Sequence, residues 1–380
     1  MQDPVSVLIV DDSALMRNLI SKMVEATPGL VVADRAMNGL FALQKIPRCK
    51  PDVIVLDLEM PEMNGIEFLR ERKRNGIDIP VVILSSIARR GAEVTMEALA
   101  LGASDFIMKP SGSVSEDIHT VKDHLCNMLL AYGSQHRIKH GTLKGTTHFE
   151  IPERPSTDSR PVSGISARPQ PMTQPVKEKP VPLRSPGTTE LIAIGISTGG
   201  PNALREVFAN IDPNLQVPIV VVQHMPPGFT FEFAKSLDRI CPLEVKEASE
   251  GDIVKPGRIL IAPGDHHITV EKKSLATIAH LNQNDCRNGH RPSADVLFES
   301  VAREYGNRAM GVIMTGMGRD GAHELGTMYR EGAITLAQNP ESCVVYGMPK
   351  VAWESGHAME QVSLQDMAAR ISSLAMEMRD

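Results

Sequence analysis

Two doubly wound α/β domains, each on a parallel sheet and joined by a proline-rich linker, are predicted for this chain of 380 residues. Three observations carry the prediction. Short apolar runs recur and stop abruptly at carboxylate, hydroxyl or glycine residues. Between many of them apolar residues return at helical spacing. From about Ser134 to Gly187 that rhythm disappears and proline recurs instead. The expected boundaries are residues 4–125 for the first domain, 134–187 for the linker and 188–376 for the second.

Composition excludes several classes. Hydrophobic content of 42% and charged content of 23% suit a soluble globular protein, and a net charge of -6 gives no footprint for nucleic acid or a membrane surface. The five cysteines form no C-x-x-C pair, which argues against a disulfide framework or zinc knuckle and for a reducing compartment. No apolar run reaches the ~20 residues of a membrane span. With charge already at Asp3, Asp11 and Asp12, a signal peptide is not expected. The expectation is a cytoplasmic protein with no membrane insertion.

In the first domain Val5–Val10 reads as a buried strand ending at Asp11-Asp12. Ser13 can cap a helix in which Leu15, Met16, Leu19, Ile20, Met23 and Val24 share a face. Val53–Leu56 ends at Asp57, Pro80–Leu84 at Ser85-Ser86, and Ala103–Met108 at Lys109. Parallel strands share one carboxyl edge, and that edge is where ligands bind. It would carry Asp11, Asp12, Asp57, Ser85 and Lys109. Three carboxylates beside one ammonium repel each other unless a divalent cation lies among them, and an all-oxygen set suits magnesium. The hydroxyl and the ammonium are what an incoming phosphoryl group needs.

The linker holds Pro152, Pro155, Pro161, Pro169, Pro171, Pro175, Pro180, Pro182 and Pro186 among polar residues. Such a segment cannot bury enough apolar surface to offset its ordering entropy, so a solvated tether is expected.

Strand-then-helix units resume with Leu191–Ile196, which runs into Ser197-Thr198-Gly199-Gly200-Pro201. A hydroxyl there sits on a tight turn beside unpaired helix N–H groups. Further strands lead to His224, to Asp265-His266-His267, and to Thr315–Gly321 with Asp320 inside. A serine, a histidine and a carboxylate on one sheet edge are a candidate nucleophile, base and orienting acid. Two rivals compete. Gly195-x-Ser197-x-Gly199 matches a nucleophile elbow, which would call on Asp265 or Asp320 with His357. Gly316-x-Gly318-x-x-Gly321, with Glu341 some way on, matches a dinucleotide fingerprint. His266-His267 reads as a surface turn rather than a metal site.

The first domain resembles the receiver domain of two-component response regulators, through Val10–Ser13, Leu56–Pro61 and Lys109-Pro110. That resemblance implies phosphorylation of Asp57 by a histidine kinase. It places Mg²⁺ on Asp12, Asp57 and the Glu59 backbone carbonyl, with Asp11 acting through water. Lys109 would meet the phosphoryl group, Ser85 would be the switch hydroxyl and Phe106 the switch aromatic. With Gly195–Pro201, Gln223–Thr230, Ile261–His267, Arg291–Asp295 and Thr315–Gly321, the whole chain apart from the linker resembles the chemotaxis protein-glutamate methylesterases of the CheB family. The implied architecture is a flavodoxin-like receiver ahead of a Rossmann-like α/β methylesterase domain.

The implied activity is hydrolysis of glutamate methyl esters on methyl-accepting chemotaxis receptors, with glutamine deamidation as a second reaction and no cofactor for the hydrolase step. Ser197 would attack, His224 would take its proton, and Asp320 would fix the imidazole. The oxyanion donors would be backbone N–H groups at Thr198, Gly199 and Met317. The unphosphorylated receiver is expected to lie across the catalytic edge until Asp57 is phosphorylated. The alternatives from other classes are a non-catalytic binding module and a small-molecule esterase.

Overall fold

The apolar runs at 5–10, 53–57, 191–196, 219–223 and 309–313 are strands buried on both faces, apart from one half-buried position in the first. A parallel sheet covered by helices on both sides demands this. The computed structural model describes residues 3–85, 89–109, 116–141 and 181–377. The expected linker over 142–180 and the Pro110 of the Lys109-Pro110 motif lie outside the described residues.

The first domain runs β1 (Val5–Val10), α1 (Ala14–Glu25), β2 (Leu30–Ala36), α2 (Gly39–Cys49), β3 (Val53–Asp57), α3 (Gly65–Arg74), β4 (Val81–Ser85), α4 (Arg89–Ala100), β5 (Asp105–Met108) and α5 (Glu116–Lys139). Its sheet is parallel, in the order β2-β1-β3-β4-β5. Ser13 caps α1 by accepting the Met16 N–H, as its position before the apolar stripe predicts. The strand β2 was not expected. Its sequence, LVVADRA, carries charge and is mostly half-exposed, because it forms the edge of the sheet.

The second domain contains β6 (Leu191–Ile196), α6 (Gly200–Ala209), β7 (Ile219–Gln223), α7 (Phe229–Asp238), β8 (Glu244–Glu247), β9 (Ile253–Val254), β10 (Arg258–Ile261), β11 (His267–Lys272) and β12 (Thr277–Asn282). It continues with α8 (Ala294–Tyr305), β13 (Ala309–Ile313), α9 (Ala322–Arg330), β14 (Ile334–Gln338), α10 (Met348–Glu354), β15 (Glu360–Val362) and α11 (Leu364–Met376). The main sheet is parallel, ordered β15-β14-β13-β6-β7-β10-β8. A small antiparallel sheet, β11-β12-β9, was not foreseen.

Two expectations need correction. Helix α5 carries the first domain through Lys139, past both residue 125 and Ser134. In the stretch from Ser134, Ser134 itself is buried and residues 135–137 are half-buried, while residues 138–141 are exposed. At the other end of the linker, Leu183 N–H donates to Arg330 and Gly187 N–H to Asn307, at 2.7 and 2.9 Å, so packing on the second domain begins before residue 188. His266-His267 is not a surface turn. His267 opens β11 with 1% exposure, its Nε2 against the Asp285 carbonyl and its Nδ1 accepting the Ser293 N–H.

Gly264 marks where the loop after β10 presses on the loop after β7. Its N–H donates to Thr230 Oγ1 at 3.0 Å, and a Cβ there would overlap the Pro226 carbonyl carbon and the Pro227 nitrogen. Backbone cannot yield as a side chain can. Gly264→Ala is expected to destabilise the protein by about 1–3 kcal/mol, measured as a lowered urea midpoint.

Candidate active site

Strand order alone gathers the three predicted groups. The chain leaves β6 toward β7 on one side and returns to β13 on the other, so β6 and β13 flank a topological switch point. Ser197 follows β6, His224 follows β7, and Asp320 lies in the loop after β13. Gly199, at φ 80°, then turns the chain into α6. A Cβ there would press on Val344, so both the left-handed backbone and the space require glycine.

His224 Nδ1 lies 3.1 Å from Ser197 Oγ, and His224 Nε2 lies 2.8 Å from Asp320 Oδ2. The carboxylate sets the tautomer. With Nε2–H donated to Asp320, Nδ1 keeps its lone pair toward the serine hydroxyl. The ring is reversed relative to the usual serine-protease arrangement, in which Nε2 meets the serine. Ser197, 8% exposed, and Asp320, 1% exposed, are buried, and His224 between them is half-buried.

Asp320 is held by far more than His224. Oδ1 accepts from Ser293 Oγ at 2.6 Å and Asn288 Nδ2 at 2.9 Å, and Oδ2 accepts the Ala294 N–H at 2.6 Å. Ala294 opens α8, whose own N-cap Ser293 makes no side-chain cap. Asp320 therefore caps α8, not the α9 that follows it. Asp295, in the first turn of α8, returns the favour by accepting the Glu324 N–H of α9 at 3.0 Å. Burial opposes ionisation of Asp320, but His224, Ser293 and Asn288 hold its pKa far below the ordinary carboxylate range.

Several residues at the site carried no sequence signal. His290 stacks on His224 with ring centroids 3.8 Å apart and planes 13° from parallel. Burial, then the neighbouring His224, push its pKa down to about 3, so it stays neutral. Gln223 Nε2 donates to the Ser197 and His224 carbonyls, each at 3.1 Å, tying the ends of β6 and β7 together. Thr315, inside a predicted motif but given no role, donates from Oγ1 to the Thr198 carbonyl at 3.0 Å. Asp265 is engaged by Arg291 at 2.6 Å, and His357 Nδ1 by the Ala322 carbonyl at 2.7 Å. Among the described residues, the histidine that meets Ser197 is His224.

Among the described residues, neither the Thr198 nor the Met317 N–H donates to a backbone carbonyl, whereas the Gly199 N–H is taken by Asp105 Oδ2 at 2.8 Å. That contact comes from the other domain, which lies across the site. Phe106 stacks on Phe229 at 4.9 Å, and Asn202 Nδ2 donates to the Ala103 and Ser104 carbonyls at 2.9 and 3.0 Å. Gln135 Nε2 reaches the Cys343 carbonyl at 2.7 Å, and Asn127 Nδ2 lies 3.4 Å from Met317 Sδ. Helix α4 packs along α7.

At the carboxyl edge of the first sheet, Asp11, Asp12 and Asp57 offer oxygens within 4.8 Å of one another. Lys109 Nζ is 2.7 Å from Asp57 Oδ2 and 3.3 Å from Asp11 Oδ2. Burial raises the Asp57 pKa against the pull of Lys109. Burial also works against the Lys109 charge, but Asp57 and Asp11 lift its pKa above the usual lysine value. Asp11 Oδ2 is buried and has no hydrogen bond of acceptable geometry. An unsatisfied buried carboxylate oxygen beside two more carboxylates fits a hard divalent cation. Ser85, at the end of β4, shares a 2.7 Å hydrogen bond with Thr95. The Ser13 N–H donates to Asp11 Oδ1 at 2.8 Å, and Glu59 engages the cluster through its N–H, which donates to Asp57 Oδ1 at 3.3 Å.

Because the Asp320 pKa is depressed in the folded protein, its contribution is present above the unfolded carboxyl value near 4 and is lost as pH falls below it. Asp320→Asn is expected to lower the urea midpoint at pH 7, with wild type and variant converging as the pH is taken below 3. Equal midpoints at pH 7 would contradict the account of Asp320 as the cap of α8.

The CheB methylesterase family matches residues 192–371, and the response regulator receiver domain matches residues 7–120. A protein-glutamate methylesterase/protein-glutamine glutaminase of Treponema denticola is 62% identical over 375 residues, covering 99% of each chain. The protein of the same description from Treponema pallidum is 54% identical, covering 97% of this chain and 96% of its own. A third, from Nitrosomonas europaea, is 40% identical over 97% of this chain and 95% of its own. Matches of this extent, running through both domains, place the chain in the CheB family: a receiver domain fused to a CheB methylesterase catalytic domain.

Proposed function

We propose that the protein is a protein-glutamate methylesterase and protein-glutamine glutaminase acting on chemoreceptors during sensory adaptation, with Ser197 as its nucleophile. The observation that carries this reading is the aligned Ser197–His224–Asp320 chain at neighbouring strand ends, in a chain of this family. Ser197 Oγ attacks the γ-carbonyl of a glutamyl methyl ester as its proton passes to His224 Nδ1. The imidazolium is held by Asp320 and returns the proton to the leaving methoxide, releasing methanol. Water, activated by the same nitrogen, then cleaves the acyl-enzyme to glutamate and frees Ser197. The same route takes glutamine to glutamate and ammonia. The open N–H groups of Thr198 and Met317 suit the oxyanion that forms in each half.

Asp57 is the phosphoacceptor, with a histidine kinase as donor. Asp11, Asp12, Asp57 and the Glu59 carbonyl would hold Mg²⁺, which when bound offsets charge on the phosphoryl group. Lys109 pairs with the phosphoryl oxygens, while Ser85 and Phe106 respond to it. Support for Phe106 as the relay comes from its position: the ring is part of the interface, stacked on Phe229. Among the described residues no helix is long and apolar enough to cross a membrane, in line with action on the water-facing part of a receptor.

The test is methanol release from methylated receptor membranes, with and without a small phosphodonor and Mg²⁺. Wild type should release methanol faster with the phosphodonor, and Asp57→Ala should not respond. Ser197→Ala should fall by about 10⁴-fold or more. Wild-type release that survives Ser197→Ala would sink the mechanism. Asp320→Asn should lose about 10⁴ in kcat through the wrong imidazole tautomer, with KM nearly unchanged.

A further inference from the structure

The closed arrangement puts a carboxylate of the receiver on the turn that carries the nucleophile. Asp105 Oδ2 accepts the Gly199 N–H at 2.8 Å and the Tyr132 hydroxyl at 3.1 Å, while Oδ1 accepts the Phe106 N–H at 2.9 Å. Gly199 stands two residues beyond Ser197, and its N–H is one of the three predicted oxyanion donors. Asn202, on the first turn of α6, clasps the carbonyls of Ala103 and Ser104 and so fixes the strand from which Asp105 projects. A cavity of about 210 Å³ remains between the domains, lined by Ser197, His224 and Thr198 on one side and by Asp105, Phe106 and His124 on the other.

We propose that Asp105 is a built-in anion at the oxyanion donors: in the closed form its carboxylate suppresses the acyl-transfer chemistry itself, beyond any exclusion of a receptor helix. This rests on the reading of Ser197 as nucleophile. Acyl transfer needs donors aimed at a growing negative charge. A fixed carboxylate consumes one of them and sets a like charge beside the place where the oxyanion must form. Because Asp105 is itself buried, that repulsion is screened less than it would be at the surface. Asp105 is 5% exposed, and burial pushes its carboxyl up to about 6, so the group is still anionic at pH 8. Simple steric blocking predicts that a substrate small enough for the cavity escapes inhibition. Inhibition by charge predicts that it does not.

The experiment is hydrolysis of p-nitrophenyl acetate at pH 8 by the full chain without phosphodonor. Asp105→Asn keeps the shape and an oxygen for the Gly199 N–H but removes the charge. It should raise the Ser197-dependent rate about tenfold, with small-angle scattering showing domains as compact as in wild type. A rise of less than threefold, or a rise accompanied by expansion of the particle, overturns the proposal. Ser197→Ala in parallel separates the two readings. Hydrolysis unchanged in that variant removes the nucleophile assignment and the proposal with it. A Ser197-dependent rate that Asp105→Asn leaves unchanged overturns the proposal alone. Asp105→Ala adds a readout without catalysis: exchange of the Gly199 amide with deuterium should quicken at least tenfold, and unchanged exchange counts against the contact.

Discussion

A buried, ionised carboxylate must have its charge met by hydrogen bonds, and in this protein the site follows from how Asp320 meets that requirement. Desolvation alone would neutralise it. Its oxygens are instead filled by His224, Ser293, Asn288 and the first N–H of α8. Because α8 and α9 cap each other through Asp320 and Asp295, the carboxylate that meets His224 is also a joint between two helices. Moving it would leave a helix end unpaired as well as an imidazole unsupported. Rigidity at the catalytic centre is therefore obtained from capping, an ordinary device of helix stability.

The two domains meet through groups that already have duties of their own. Phe106 lies on the edge strand of the first sheet and packs on the helix following His224, while Asp105, the residue before it, holds the turn following Ser197. One short strand, β5, thus touches both the helix after His224 and the turn after Ser197. Any shift of β5 is felt at both, whereas α5 reaches the rim of the site through Asn127 and Gln135. The receiver rests on the turn after Ser197 and on the helix after His224, beside the place where those two side chains meet.

Sequence reading captures what is dictated locally. Leu191–Ile196 can only be a buried strand, and the glycines after Ser197 can only be a turn, so the place of Ser197 at a strand end was legible; so were the carboxylates at the ends of β1 and β3. The edge strands were not. In β2 and β15, half-exposed residues blur the apolar run, and the hairpin of β11 and β12 faces solvent along much of its length. His290, Gln223 and Asn288 escaped for another reason. Each works through a partner far along the chain, and nothing in the spacing of residues announces a stacked ring or a bridging amide. His267 misled because two adjacent histidines look exposed, while the fold buries one to hold Ser293.

The reversed imidazole has a simple metric origin. Neighbouring strands in a sheet lie about 4.8 Å apart. Ser197 and His224 each follow directly on adjacent strands, and the His224 N–H still reaches the Ile196 carbonyl at 3.2 Å, so the two backbones have not yet diverged. At that separation the nearer ring nitrogen, Nδ1, spans the gap to the hydroxyl, and the farther one points on to a third loop. The sheet's own hydrogen-bond spacing acts as a ruler between the imidazole and the hydroxyl. A fold that places these two residues on non-adjacent strands would have to use the other nitrogen, or a longer reach, for the same proton.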